Sequence, residues 1–193
     1  MKIRTNDVLG TAAIPGNGGT LRFYKRGDDY AITVDGIDGD LMNSAVHGSE
    51  ELLAEMALQR LPSPMTARVL VGGLGMGFTL RAALKHTGPK SQVVVAELVP
   101  EVIEWNKGPL GEKAGNPMKD QRALVREGDV AAIVRERKEA FDAIMLDTDN
   151  GPEGLTQSDN RKIYSSAGIR AIHACLPPGG VLAVWSTHPA KPF

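Results

Sequence analysis

Three glycines spaced by single residues, set where an apolar strand gives way to a helix, constrain this chain more than any other feature. Val69-Leu70-Val71 runs directly into Gly72-Gly73-Leu74-Gly75-Met76-Gly77, and Thr79-Leu80-Arg81-Ala82-Ala83-Leu84 follows with helical character. Glycines at such a turn let the backbone approach a ligand closely and leave helix-terminal N–H groups pointing outward. A tight turn without a ligand needs fewer of them. Phe78 stands where the dinucleotide fingerprint G-x-G-x-x-G places a small residue, so the spacing here is G-x-G-x-G. The loop also lacks G-x-x-x-x-G-K-[ST] and is not a Walker loop.

The surrounding pattern sets the fold class. Short apolar runs recur at Val69-Leu70-Val71, Val93-Val94-Val95-Ala96, Ala123-Leu124-Val125, Ala143-Ile144-Met145-Leu146 and Val181-Leu182-Ala183-Val184-Trp185. Helical stretches separate them at Thr79 to Lys85, Pro100 to Lys107, Val130 to Arg137 and Asn160 to Leu176. Continuous apolar strands alternating with helices predict a doubly wound α/β fold around a mainly parallel sheet covered on both faces. Before it, Leu21 and Phe23 and then Tyr30, Ile32 and Val34 alternate with less apolar residues about the turn Lys25-Arg26-Gly27-Asp28-Asp29, which predicts a β-hairpin. Ile14 to Gly19 reads as a loop. A helix follows, with Ser49 as N-cap, Glu50 and Glu51 in its first turn, Leu53, Met56, Ala57 and Leu61 recurring at helical spacing, and Pro62-Ser63-Pro64 ending it. The chain divides on this reading into a hairpin region, 1–48, and a nucleotide-binding domain, 49–193.

Charge and composition exclude other classes. Twenty-two Lys and Arg against twenty-three Asp and Glu give a net charge of −1, without the basic surplus of a nucleic-acid binder. No apolar stretch is long enough to span a bilayer, and no apolar run follows the basic residues of the N-terminus, so a cytoplasmic protein is expected. Cys175 is alone and reads as a buried helix residue. His47, His86, His173 and His188 are scattered, so no metal site is expected. His47 and Glu50 lie where the substrate side of a pocket is expected, although a plain helix cap serves for His47. Trp105 and Trp185 read as packing residues.

Carboxylates at the strand ends complete a constellation. Glu97 ends the second apolar strand, where an acidic side chain accepts ribose hydroxyls of NAD and adenosyl ligands alike. Gly128-Asp129 follows the third strand, where a carboxylate can accept from an adenine amino group. Asp147 ends the fourth, with Asp149 and Glu153 close behind.

Taken together, Ala67 to Trp185 resembles the spermidine synthase family within the class I S-adenosylmethionine-dependent transferases. Val69 to Arg81 lines up without gaps on that family's glycine loop and helix, and Val95-Ala96-Glu97-Leu98-Val99-Pro100-Glu101 on its ribose-binding strand. Phe141-Asp142-Ala143-Ile144-Met145-Leu146-Asp147-Thr148-Asp149-Asn150-Gly151-Pro152 resembles its catalytic strand and loop. The resemblance implies a Rossmann-like sheet of class I methyltransferase type after a small β region, and a homodimer. It implies aminopropyl transfer from decarboxylated S-adenosylmethionine to an amine such as putrescine. Gly73, Gly75, Gly77, Glu97, Leu98, Gly128 and Asp129 are then expected to bind the nucleotide. Asp147 acts on the amine, and Asp149, Glu153 and Glu50 attract it. Three departures stand beside this. Met76 replaces a loop Asp, Asn150 replaces a later Asp, and the polyamine-site Gln and Tyr have no counterpart around Val34-Asp35-Gly36 or Leu41-Met42-Asn43-Ser44. The sequence also stops soon after the fifth strand, without the family's last two, which predicts an exposed apolar edge at Val181 to Trp185. Met76 favours a rival reading with ordinary S-adenosylmethionine and methyl transfer. The early end and altered loop favour another, a non-catalytic nucleotide-binding or scaffolding subunit.

Overall fold

The structure, a computed structural model, describes residues 7–16, 18–136, 140–148 and 161–186. Five strands form one parallel sheet in the order β7-β6-β5-β8-β9: β5 (Arg68–Gly72), β6 (Gln92–Glu97), β7 (Ala123–Glu127), β8 (Ala143–Leu146) and β9 (Val181–Val184). Alternation within the apolar runs divides them between two cores. Val69, Val71, Val93, Val95, Ala143 and Met145 face one side, against Ala54 and Leu58 of α1 (Gly48–Leu58) and Leu80 and Ala83 of α2 (Phe78–Lys85). Leu70, Val94, Ile144 and Leu146 face the other, against Val130 and Val134 of α5 (Val130–Glu136) and Ile172 of α7 (Ser166–Cys175). Burial on both faces is why these strands read as unbroken apolar runs.

Several expectations are met: α3 (Pro100–Lys107) spans the predicted residues, α2 starts one residue earlier than predicted, α5 starts at the predicted Val130 with Arg137 outside the described residues, and Cys175 is buried. Others are corrected. α1 begins at Gly48 with His47 at its N-cap, and the Ser49 hydroxyl donates to Glu50 instead of capping. Its inner face is Ala54, Ala57 and Leu58, while Met56 is 45% exposed. The helix expected over Asn160 to Leu176 is two helices, α6 (Arg161–Tyr164) and α7, broken at Ser165. Ser165 adopts an extended conformation and its Oγ accepts from the Gly168 amide at 3.1 Å, which makes it the N-cap of α7. A short helix, α4 (Pro109–Lys113), follows α3.

The N-terminal hairpin is part of a four-stranded antiparallel sheet, β1 (Asp7–Ala13), β2 (Thr20–Arg26), β3 (Asp29–Val34) and β4 (Met42–Asn43), in that order. β1 was hidden because Val8 and Leu9 are both exposed, and a register shift between Val8 and Gly10 breaks the alternation. A Cβ on Gly10 would meet the Trp105 indole nitrogen at 2.7 Å, so β1 needs glycine to lie over α3. Phe23, Ile32 and Val34 share one core with Met76, Phe78, Val99, Val102 and Leu110. Trp105 stacks on Phe23 at 5.0 Å, the packing role expected of it. Among the described residues β9 lies at the sheet edge, with Val181, Leu182 and Ala183 half-buried and Val184 37% exposed. No helix of the described residues is long and apolar enough to cross a membrane.

Candidate functional site

The parallel strands end along one rim, and the glycine loop lies at its centre. Gly73, Gly75 and Gly77 all have positive φ, at 92°, 52° and 86°. Each is also crowded. A Cβ on Gly73 would run into the backbone oxygen of Asp147, one on Gly75 would meet the Met42 sulfur at 3.1 Å, and one on Gly77 the Asn106 Oδ1 at 3.0 Å. Chain conformation and close packing therefore require glycine here before any ligand is considered.

Glu97 anchors this loop. Its Oε2 accepts from the Leu74 amide at 2.9 Å and the Gly75 amide at 3.4 Å, and its Oε1 accepts from the Val99 amide at 2.9 Å. Burial raises its pKa, and these amide bonds oppose the rise. The sequence reading assigned Glu97 to a ribose. In this structure the carboxylate ties the end of β6 to the loop after β5. Leu98 follows it, half-buried, and the Gly128 amide donates to the Glu97 carbonyl at 2.7 Å. Asp129 accepts from the Ala131 amide at 2.7 Å and pairs with Arg135 at 3.3 Å, so it caps α5.

A cleft opens where the glycine loop, β4, α1 and the end of β8 meet. Asp147 and Thr148 line it from β8, Glu50 from α1, Gly75 and Met76 from the loop, and Thr79 from α2. Leu41, Met42, Phe78 and Trp185 close it with apolar surface, so Trp185, read from the sequence as a packing residue, borders the cleft. The half-buried Asp147 is held by the Thr79 hydroxyl, which donates to its Oδ2 at 2.5 Å. Burial raises the Asp147 pKa to about 6; the Thr79 bond lowers it and the Glu50 charge raises it further. A carboxyl so poised exchanges a proton near neutral pH and suits general acid–base work. Phe78 is braced from behind: the His47 ring stacks on it at 4.2 Å, and the Arg81 guanidinium lies 4.7 Å from its centroid. Glu51 binds Arg81, and its Oε1 is 3.0 Å from His47 Nδ1, too poorly aligned for a hydrogen bond. His47 thus supports the cleft wall.

The structure brings Glu50, Gly75 and Asp147 together in the cleft, with Gly73 and Gly77 shaping the loop behind it. Glu97, Leu98, Gly128 and Asp129 lie along the neighbouring strand ends, outside the cleft lining. Asp149 and Glu153 lie outside the described residues. Sequence reasoning missed Thr79 and Asn106. The Asn106 amide is 3% exposed and donates to the Gly75 and Val102 carbonyls at 2.8 and 2.9 Å. A buried Asn one helix from a glycine loop carries no motif, so only its contacts reveal it. Among the described residues, no three His, Cys, Asp or Glu side chains cluster as a metal ligand set.

The sequence profile of the spermine/spermidine synthase domain matches residues 46–191. A polyamine aminopropyltransferase of Clostridium tetani is 30% identical over 139 residues, 72% of this chain and 47% of its own. One of Saccharolobus islandicus is 29% identical over 156 residues, 80% of this chain and 50% of its own. The chain thus spans about half the length of these curated relatives. Among solved structures, a spermidine synthase in complex with the transition state analogue AdoDATO superposes with a TM-score of 0.72 at 23% identity, over 92% of this chain and 55% of that one. Human methyltransferase-like protein 13 in complex with SAH gives 0.56 at 22% identity, over 71% and 63%. These two likenesses establish the Rossmann-like fold that the class I transferases share. With the domain profile covering most of the sequence, the chain belongs to the spermine/spermidine synthase family.

Proposed function

We propose that this protein transfers an aminopropyl group from decarboxylated S-adenosylmethionine to a small amine. The observation that carries this reading is the pairing of Asp147 with Glu50 in a cleft at the glycine loop. The reaction is an in-line displacement. The amine nitrogen bonds to the carbon beside the sulfonium, the carbon–sulfur bond breaks, and methylthioadenosine leaves. The attacking amine is mostly protonated at neutral pH and has to shed a proton. Asp147, with a pKa near 6, accepts it when ionised. Glu50 beside it, with Asp149 and Glu153 after it, supplies negative charge that attracts a cationic amine. Holding nitrogen, carbon and sulfur in line contributes most of the rate.

The nucleotide lies, on this reading, across the strand ends. The donors of adenosine, two ribose hydroxyls and one amino group, match the acceptors along the rim. Glu97 takes the ribose and Asp129 the adenine, with Gly73, Gly75, Gly77, Leu98 and Gly128 beneath. Both carboxylates already accept backbone N–H bonds and keep lone pairs for a ligand. The relatives' names, polyamine aminopropyltransferase, and the AdoDATO complex of the structural neighbour support the choice of nucleotide. The balanced net charge supports a small amine over a nucleic acid as acceptor.

The test is a product assay. The protein is given decarboxylated S-adenosylmethionine with putrescine or with shorter and longer diamines, and methylthioadenosine is followed by chromatography. Amine-dependent release is expected. S-adenosylhomocysteine formed from ordinary S-adenosylmethionine would replace the proposal with methyl transfer. Calorimetric binding of nucleotide with neither product would replace it with a non-catalytic subunit.

A further inference from the structure

Thr79 stands in the first turn of α2, 2% exposed, with its hydroxyl turned to Asp147. Two separate features of the fold create this meeting. Gly73 has no side chain, so the backbone of Asp147 closes on the glycine loop where any Cβ would collide with it. The loop then turns through Gly75 and Gly77 into α2, which delivers Thr79 to the same cleft wall. A β-branched side chain has few rotamers, so the hydroxyl is held in a narrow range of directions. Its proton is committed to Asp147 Oδ2 at 2.5 Å. Among the described residues Oδ1 receives no donor, and it is the oxygen left for an amine.

We propose that Thr79 is a positioning residue for Asp147, fixing one carboxylate oxygen against α2 so that the other faces the substrate amine. This deepens the aminopropyl-transfer reading and rests on it. The bond also favours the ionised carboxylate, opposing both burial and Glu50. Glu50 is the charged group facing Asp147 from α1. On α2, Arg81 is engaged by Glu51, and Trp185 after β9 brings no charge. Thr79 is therefore the neutral donor that balances an acidic neighbour.

The experiment compares Thr79→Val and Thr79→Ser in the full chain by two readouts. One is the carbon-13 NMR titration of the Asp147 carboxyl, assigned with Asp147→Asn. The other is the pH profile of kcat/KM for methylthioadenosine release. In Thr79→Val the titration and the acidic limb are expected to move up by about one pH unit. Turnover at pH 7 is expected to fall about tenfold with the nucleotide KM unchanged, and Thr79→Ser to restore both. An Asp147 titration unmoved in Thr79→Val overturns the proposal, as does a serine variant as impaired as the valine one. A titration that moves in a protein with no turnover toward any amine overturns the aminopropyl reading and leaves the Thr79–Asp147 coupling standing.

Discussion

Asp147 combines two demands that conflict in one side chain. Burial and Glu50 favour its neutral form, whereas a base has to be ionised. Its pKa in the folded protein, about 6, lies above the ordinary 3.8 of an unfolded chain. Between these values the folded state binds the extra proton, so stability falls as pH rises through that window and levels off above it. Asp147→Asn is expected to be more stable than the parent at pH 7.5, by on the order of 1–3 kcal/mol, and equal to it near pH 4. Thermal unfolding at the two pH values checks this. The same variant is expected to lose about 10²–10⁴-fold in turnover while binding nucleotide normally, measured by product assay and calorimetry. Gly73→Ala makes a different demand on the site. Its added methyl group would meet the Asp147 backbone at a positive φ of 92°, so a loss of at least about 2 kcal/mol is expected in urea unfolding.

Elements are joined at this rim by polar groups that carry no periodic signal. The Glu97 carboxylate links β6 to the glycine loop through the Leu74 and Gly75 amides and holds the turn into α3 through the Val99 amide, and Asn106 reaches from α3 to the Gly75 carbonyl. In Glu97→Gln one acceptor oxygen becomes an NH₂ group that cannot serve an amide. A buried N–H left without a partner costs about 1–3 kcal/mol. Urea unfolding is expected to register that loss, and amide hydrogen exchange to place it at Leu74, Gly75 or Val99. The strands of the parallel sheet, the β2–β3 hairpin and most helices were legible because each obeys its own spacing, whereas β1 and β4 were not. Nor was the break at Ser165: Ser-Ser-Ala-Gly favours a cap, but the buried Ile163, Tyr164, Ala171 and Ile172 on either side keep a spacing that one continuous helix would also satisfy. The choice rests on the Ser165 hydroxyl meeting the Gly168 amide, and on Gly168 packing against the Ile163 carbonyl.

At the scale of the molecule, the division at residue 48 is a proposal about folding units, and the packing bears on it. Phe23 and Ile32 of the N-terminal sheet, 1% and 0% exposed, share a core with Met76, Phe78 and Leu110. Met76 holds that core to the cleft from the loop position where the resemblance expects an acid, and Met42 of β4 lies over Gly75. Phe23→Ala is expected to destabilise the chain by about 3–5 kcal/mol. Fluorescence of Trp105, stacked on Phe23, and far-ultraviolet circular dichroism are expected to follow one shared transition. Separate transitions would establish residues 1–48 as an independent unit.

The sequence by itself determined the alternating strands and helices, the parallel sheet, the place of the glycine loop and the carboxylates at the strand ends. Those features follow from local periodicity and from backbone conformations open mainly to glycine. Only the tertiary structure decided what the carboxylates do to one another and to the loop. It turned Glu97 to three amides, made Asp129 a cap, and set Asp147 against Thr79 and Glu50. It also carried β4 and α1 over the glycine loop to form the cleft wall. Hydrogen-bond direction, burial and charge proximity depend on groups far apart in the chain, and no spacing along the sequence encodes them.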